Sequence, residues 1–356
     1  MTDTFPNRKK SSQKYSRKRI AIYLLIIVLF FTIVPLLLIE GGIRTYIWYK
    51  YGVPGKTYGL WCYDKEFGAI HCHDGYNTLS QTNEYGFRNT ENVREPKPAG
   101  ALRIIAYGGS TTFCYNLLNG ETWPDELEKQ LRKNHNPQDQ VLNAGDIMWS
   151  IGQSYVRAKR DIPVLKPDYV IIYDGINDPA NAQFLELEGK PMKTLVEKGE
   201  YGVFSKNLEQ SRWIKRNLAL VRLMDYVIAP RLTNDQQVQQ VDIPTEPDPY
   251  VMENYLHTLS DFLKLAKANG SMPIFLVQAH GHNNKLNEYL TSYSRNGIQT
   301  ATQEGAIVLD AQVMVDGYHG PPMDLFYSSG VHYSRAGAEM LGEFLYQQIN
   351  WHAAAR

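Results

Sequence analysis

Five short runs of β-branched and aromatic residues, each closed by glycine or a polar turn, constrain the fold of this chain more than any other feature. Arg103-Ile104-Ile105-Ala106-Tyr107 halts at Gly108-Gly109, Val141-Leu142-Asn143 runs into Ala144-Gly145, and Asp168 to Tyr173 follows Pro167 and ends at Asp174-Gly175. Two more lie near residues 274 and 306. Runs this short and this apolar are those of strands buried on both faces. Helical patterning fills the gaps between them, clearest from Val251 to Ala268, where Met252, Tyr255, Leu256, Leu259, Phe262, Leu263 and Ala266 recur before an Asn269-Gly270 stop. That stripe reads as core packing and not as a cofactor site. The alternation predicts an α/β fold: a three-layer α/β/α sandwich on a central, mostly parallel five-stranded sheet of flavodoxin-like type.

A second constraint precedes the sheet. Residues Ile20 to Ile39 carry no charged side chain, which is enough length to cross a bilayer as one helix of about twenty residues. Arg8, Lys9, Lys10, Lys14, Arg17, Lys18 and Arg19 crowd the N-terminal flank, while Glu40, Arg44 and Lys50 balance on the other. The positive-inside rule then sets the N-terminus in the cytoplasm and everything after residue 40 outside it. The apolar core is too long for a cleaved signal, and no small-x-small site follows it. Pro35 is expected to bend the span without preventing insertion.

The chain has 37 basic and 37 acidic residues, but seven of the basic ones and only Asp3 of the acidic ones fall in the first nineteen positions. The remainder is mildly acidic and has no basic stripe, which excludes nucleic acid as a partner. The N-terminal cluster suits orientation and anionic lipid. The expected organisation is a cytoplasmic tail (1–19), a transmembrane helix (20–39), an extracytoplasmic approach segment (40–98) and a main domain (99–352) interrupted by an insertion at about 180–249. Within the insertion, Trp213, Leu218, Leu220, Leu223 and Met224 suggest a helical lid, and a polar, proline-broken linker follows. A plain surface excursion is the alternative.

Of the three cysteines, Cys62 and Cys72 lie close together in a loop-like exported stretch and are expected to form a disulfide. A metal site from His71, Cys72, His73 and Asp74 competes with that reading. Adjacent residues rarely converge on one ion and the spacing fits no standard zinc pattern, so no metal is expected. Cys114 reads as a small buried apolar side chain.

The strand ends carry the chemistry. Ser110 stands where the first strand hands over to a helix, so its hydroxyl projects beyond the carboxyl edge of the sheet, near backbone N–H groups that converge on an anion. Gly-Gly-Ser alone is also an ordinary loop. Asn177, in the turn Asp174-Gly175-Ile176-Asn177-Asp178 after the third strand, can aim an amide N–H at a developing oxyanion, or form an Asx turn with Asp178. Gly145 can offer a further N–H or merely close its loop. His332, in Ser329-Gly330-Val331-His332-Tyr333-Ser334, precedes a helix capped by Ser334, within reach of a serine at the same sheet edge as its general base.

In this order the blocks resemble the SGNH hydrolase superfamily of GDSL-type esterases and lipases. Gly108-Gly109-Ser110 stands for Gly-Asp-Ser, Gly145 for the glycine block, Gly175-Ile176-Asn177-Asp178 for Gly-x-Asn-Asp and His332 for the histidine block, across about residues 100 to 350. Many membrane-anchored bacterial members share Gly109-Ser110-Thr111-Thr112 and an upstream segment like Asn83-Glu84-Tyr85-Gly86-Phe87-Arg88. The resemblance implies Ser110 as nucleophile, His332 as base, an oxyanion hole from the Ser110 and Gly145 N–H groups and Asn177, and no cofactor. One departure stands out. The family has an Asp three residues before its histidine, whereas this chain has Ser329. Asp324 or Asp310 would have to substitute as the acid, or the pair would work as a dyad with a backbone carbonyl holding the ring. The implied activity is a serine esterase anchored in a bacterial inner membrane and facing the periplasm or exterior. Its substrate would be an ester-bearing glycan, such as an O-acetylated one, or a lipid ester. The alternatives are an O-acyltransferase acting on an envelope or secreted polysaccharide, and a degenerate domain that binds glycan or an assembly partner.

Overall fold

Alternate residues of each central strand pack on opposite faces, and that alternation builds the layers. In a computed structural model, which describes residues 16–51, 57–77, 79–206, 244, 246–281 and 284–351, five strands form one sheet: β3 (Arg103–Gly108), β4 (Gln140–Asn143), β5 (Tyr169–Tyr173), β6 (Met272–Val277) and β7 (Ile307–Asp310). Their order is β4-β3-β5-β6-β7 and every pairing is parallel. Ile104 and Ala106 of β3, with Ile171 and Tyr173 of β5, pack on the helices Trp123–Asn134 and Arg335–Gln348. Ile105 and Tyr107, with Val170 and Ile172, face the helices Ile151–Leu165 and Pro249–Ala268. This is the three-layer α/β/α sandwich that the apolar runs require.

The helix expected to begin at Val251 starts two residues earlier, at Pro249. Asp248 caps it by accepting from the N–H groups of Tyr250 and Val251, and proline at the first helical position loses no bond there. The lid residues of the insertion lie in 207–243, outside the described residues, as do most of its linker and the first fifteen positions of the basic tail. The described start of the insertion consists of the helices Asp178–Leu187 and Met192–Glu197.

The N-terminal helix and the body formed by Tyr51–Asn217 and Asp235–Arg356 belong to separate units. The first runs from Arg17 to Tyr51 with a π-helical turn at Leu29–Ile33. Within Arg17–Tyr46, 18 consecutive residues have a mean hydropathy of 3.1 and none of them is buried. The π turn has a local cause. Pro35 has no N–H and its ring collides with the carbonyl one turn back, so the turn before it widens, with the Val34 N–H bonding to Leu29 O and the Thr32 hydroxyl to Val28 O.

The stretch around the cysteines is not a loop. Strands β1 (Thr57–Asp64) and β2 (Gly68–Tyr76) pair as an antiparallel hairpin with register irregularities near Thr57 to Trp61. Those irregularities break the period-two pattern by which a hairpin is read from sequence. Cys62 and Cys72 are bonded across it. The hairpin packs inward: Phe67 stacks on Trp149 at 5.1 Å between centroids, and the buried His71 lies 3.3 Å from the Asp146 carboxylate and against the Phe113 ring. At the turn, Arg160 pairs with Asp64 and Glu66 and holds the Asp64 carboxyl down to about 2.

The following segment seals the open edge of β4. Arg88 N–H donates to Asn143 O, Asn143 N–H to the Asn89 side chain, and the Asn89 amide to Val141 O. An exposed edge would be a template for pairing with another chain. Arg88 then turns inward. Its guanidinium donates to the carbonyls of Phe113, Cys114 and Leu117 and lies 4.3 Å from the Phe113 ring centroid. Burial lowers its pKa to about 10, so it remains charged at neutral pH.

Replacing Arg88 by Met should therefore leave the interior carbonyls of Phe113 and Leu117 without a donor, Cys114 O keeping the Leu117 N–H, and cost about 3 kcal/mol or more of stability, measured by denaturation of the full chain in detergent. Arg88→Lys should recover only part of it, because an ammonium cannot span three acceptors as the planar fork does. A loss within about 1 kcal/mol for the Met variant would contradict this role.

Candidate active site

The nucleophile candidate sits where the geometry of β3 changes. β3 ends at Gly108, Gly109 adopts an extended cap conformation, and Ser110 opens a single helical turn, Ser110–Phe113. Its N–H, at the first helical position, has no acceptor among the described residues, as expected of a first-turn donor. Gly109 has no room for a side chain: a Cβ there would lie 2.5 Å from Asn177 Nδ2 and 3.0 Å from Trp149 O. Ser110 is thus held beside the amide of Asn177.

His332 approaches from the other end of the chain. The Ser110 hydroxyl is 2.8 Å from His332 Nε2. The loop bearing the imidazole is fixed on both sides. Tyr333 buries its hydroxyl against that of Tyr173 on β5 at 2.9 Å, and Tyr327 N–H donates to His332 O at 2.8 Å. On the second ring nitrogen, Nδ1 lies 3.0 Å from the Ser329 hydroxyl. Ser329 is itself placed by the Asn287 amide on its carbonyl, at 3.4 Å. The two carboxylates considered as acids are engaged otherwise or lie elsewhere in the loop. Asp310 caps the helix Ala311–Asp316 through Gln312 N–H and faces Arg295, and Asp324 sits in the 3-10 turn Pro322–Leu325 with its carbonyl bonded to the Ser334 hydroxyl. The group that meets Nδ1 is therefore the Ser329 hydroxyl. Burial lowers the His332 pKa below its ordinary 6.5, and no charged neighbour among the described residues opposes that shift.

Asn177 and Gly145 play different parts. The Asn177 amide donates one N–H to Trp149 O at 2.9 Å, which leaves its second N–H directed elsewhere. Gly145 corrects the expectation of a second backbone donor, because its N–H is taken by the Asn143 side chain at 3.0 Å. What glycine supplies at this position is space: a Cβ would press on Phe113 N and on Thr112, the backbone of the nucleophile turn. Asn143 reinforces the contact by donating from its amide to Thr112 O.

A residue missed in the sequence ties these parts together. Gln278, buried just beyond β6, accepts from Ile176 N–H at 2.8 Å and donates to the Thr111 hydroxyl at 3.1 Å. One amide thus joins the Asn177 turn to the residue next to Ser110. The available signal was a polar side chain ending an otherwise apolar strand, Met272 to Val277. At the same turn, burial pushes the Asp174 carboxyl up to about 7, and burial together with the neighbouring Asp174 carboxyl raises Asp178 well above the usual carboxylate range.

No family model matches the chain, and no curated protein matches it. Solved structures similar to it include a putative lipolytic protein of the G-D-S-L family from Desulfitobacterium hafniense DCB-2. That protein is 17% identical over 70% of this chain and 99% of its own, with a TM-score of 0.42. An alpha/beta hydrolase enzyme, LAE5, from the metagenome of Lake Arreo is 17% identical over 73% and 97% at 0.43. Axe2, an acetylxylan esterase from Geobacillus stearothermophilus, is 16% identical over 72% and 97% at 0.46.

Gly109→Ala should drive the Asn177 amide out of position, and Asn177→Ala should remove it. Each is expected to slow ester turnover by about two to three orders of magnitude while the thermal transition stays within a few degrees for Asn177→Ala. Turnover within about threefold of the parent in Asn177→Ala would exclude that amide as an oxyanion donor.

Proposed function

We propose that this chain is a serine esterase of the SGNH hydrolase superfamily, carried by a membrane-anchoring N-terminal helix. The observation that carries the reading is the 2.8 Å contact between Ser110 Oγ and His332 Nε2 at the carboxyl edge of a parallel sheet, with Asn177 and an uncommitted Ser110 N–H beside it. Ligands of open α/β sheets bind at that edge.

In this reading the neutral imidazole accepts the Ser110 proton at Nε2 as Oγ bonds to the ester carbonyl carbon. The carbonyl oxygen, now negative, is held by the Ser110 N–H and the second N–H of Asn177. His332 Nε2 returns the proton to the alcohol oxygen as the C–O bond breaks, leaving Ser110 acylated. Water then attacks, gives its proton to Nε2 and releases the acid, and Ser110 Oγ recovers the proton. Throughout, Nδ1–H points at the Ser329 hydroxyl, which orients the ring but supplies no negative charge. A buried imidazole without a carboxylate partner is the weaker base and is neutral at pH 7, ready to accept.

The anchor reading rests on the apolar, unburied helix and its basic flank, which direct the domain from Tyr51 onward out of the cytoplasm. The Cys62–Cys72 bond suits the same side. Envelope material is what such a site meets: an ester-bearing glycan, with O-acetyl as the small acyl group, or a lipid ester.

The reading is tested on the full chain in detergent with a chromogenic acetate ester. Turnover is expected in the parent and lost by at least about a thousandfold in Ser110→Ala. The profile of kcat/KM against pH gives a second measure. The base form of His332 is required, so the acid limb should fall below pH 6.5. In Ser329→Asp, a carboxylate facing Nδ1 favours the imidazolium and should move that limb upward. Turnover unaffected by Ser110→Ala would refute the nucleophile, and an unmoved limb in Ser329→Asp would refute the contact at Nδ1.

A further inference from the structure

The loops that bring Ser110 and His332 together also expose aromatic and apolar side chains that the mechanism leaves unused. Cys114 takes a left-handed conformation, φ 57°, immediately after the nucleophile turn and so lifts Tyr115 to the surface, where it is 46% exposed. The Tyr115 ring centroid is 6.3 Å from that of His332, with the planes inclined at 53°. Its hydroxyl has no hydrogen-bond partner among the described residues. On the facing loop, Tyr327 is bonded through its N–H to His332 O and reaches across to donate its hydroxyl to Asn116 O at 3.3 Å. Leu118, 47% exposed, follows on the same loop as Tyr115. Scattered surface hydrophobics need no explanation, but an amphipathic ring beside the reacting pair must be covered by whatever reaches Ser110.

Mechanism decides which half of an ester that is. Nε2 must pass its proton to the departing oxygen, so the alcohol half lies on the histidine side, within hydrogen-bond reach of the imidazole. The carbonyl oxygen lies on the opposite side, toward Ser110 N–H and Asn177. Tyr115, beside the imidazole, therefore flanks the alcohol. A flat ring with an apolar face and a free hydroxyl at its edge complements a cyclic polyol, which has an apolar C–H face and a polar rim, better than it does a flexible chain.

We propose that Tyr115 forms the alcohol-side subsite and selects esters whose alcohol is a sugar ring, with Tyr327 and Leu118 at its flank. This rests on the serine esterase reading above. The same subsite serves an acceptor alcohol in place of water. The acceptor O–H gives its proton to Nε2 as its oxygen bonds to the acyl carbon, the Ser110 Oγ–acyl bond breaks, and Oγ takes the proton back.

The test compares kcat/KM of the full chain in detergent on three acetates with one acyl group: an O-acetyl methyl glucoside, methyl acetate and a long-chain alkyl acetate. Tyr115→Ala is expected to lower the ratio of glucoside to methyl ester about tenfold, and Tyr115→Trp to restore it. An unchanged ratio in Tyr115→Ala overturns the proposal, as does a fall confined to the long-chain ester, which would assign the surface to a lipid alcohol. If the parent turns over none of the three and Ser110→Ala changes nothing, the esterase reading fails and this inference falls with it. If the parent turns over methyl acetate but shows no dependence on Tyr115, only the subsite is wrong.

Discussion

The site depends on strand ends packed more closely than side chains allow. At Gly109 a methyl group would meet the Asn177 amide and Trp149 O, and at Gly145 it would meet the backbone of the nucleophile turn. These two glycines let the loops after β3, β4 and β5 converge on Ser110. The convergence is then held by polar groups in the interior. Gln278 joins the Asn177 turn to Thr111, Asn143 donates to Thr112 O, and Arg88 gathers the carbonyls at the end of the short helix. Each would be costly to bury unpaired, so together they favour one arrangement of the turn. The N-terminal hairpin belongs to the same construction, because Phe67 and His71 pack on Trp149 and Phe113, which flank the site.

Ser329 alters the electrostatics of the pair more than its geometry. A carboxylate at Nδ1 would orient the ring and also stabilise its charged form, whereas a hydroxyl does only the first. Burial holds His332 toward its neutral form. In the proposed esterase such a base would suit esters with a leaving alcohol that departs readily, and contacts to that alcohol would be correspondingly important. Tyr115 stands where those contacts would be made.

Much of the fold was legible because buried parallel strands write themselves as short apolar runs, and the five runs correspond to β3 to β7 in their sequence order. The hairpin β1–β2 was not, since its irregular register destroys the alternation that marks a strand. The start of the helix at Pro249 was hidden because its cap, Asp248, lies in a proline-rich stretch that reads as linker. At the site, Ser110, Asn177 and His332 were legible as polar residues ending apolar runs or preceding a capped helix. The contribution of Gly145 was misjudged because sequence spacing gives the position of an N–H but not its acceptor. Ser329 read as a missing acid, and only the fold shows its hydroxyl against Nδ1. Gln278 showed only as a polar residue ending an apolar run, because the Ile176 and Thr111 groups that its amide joins lie more than a hundred residues away.

The central claim is that His332 activates Ser110, and covalent capture tests it most directly. The full chain in detergent would be treated with a fluorophosphonate probe, and the modified peptide identified by mass spectrometry alongside Ser110→Ala and His332→Ala. The account predicts a single adduct on Ser110, absent from the first variant and slowed by orders of magnitude in the second. A folded parent chain that remains unmodified, or is modified equally in His332→Ala, would contradict it.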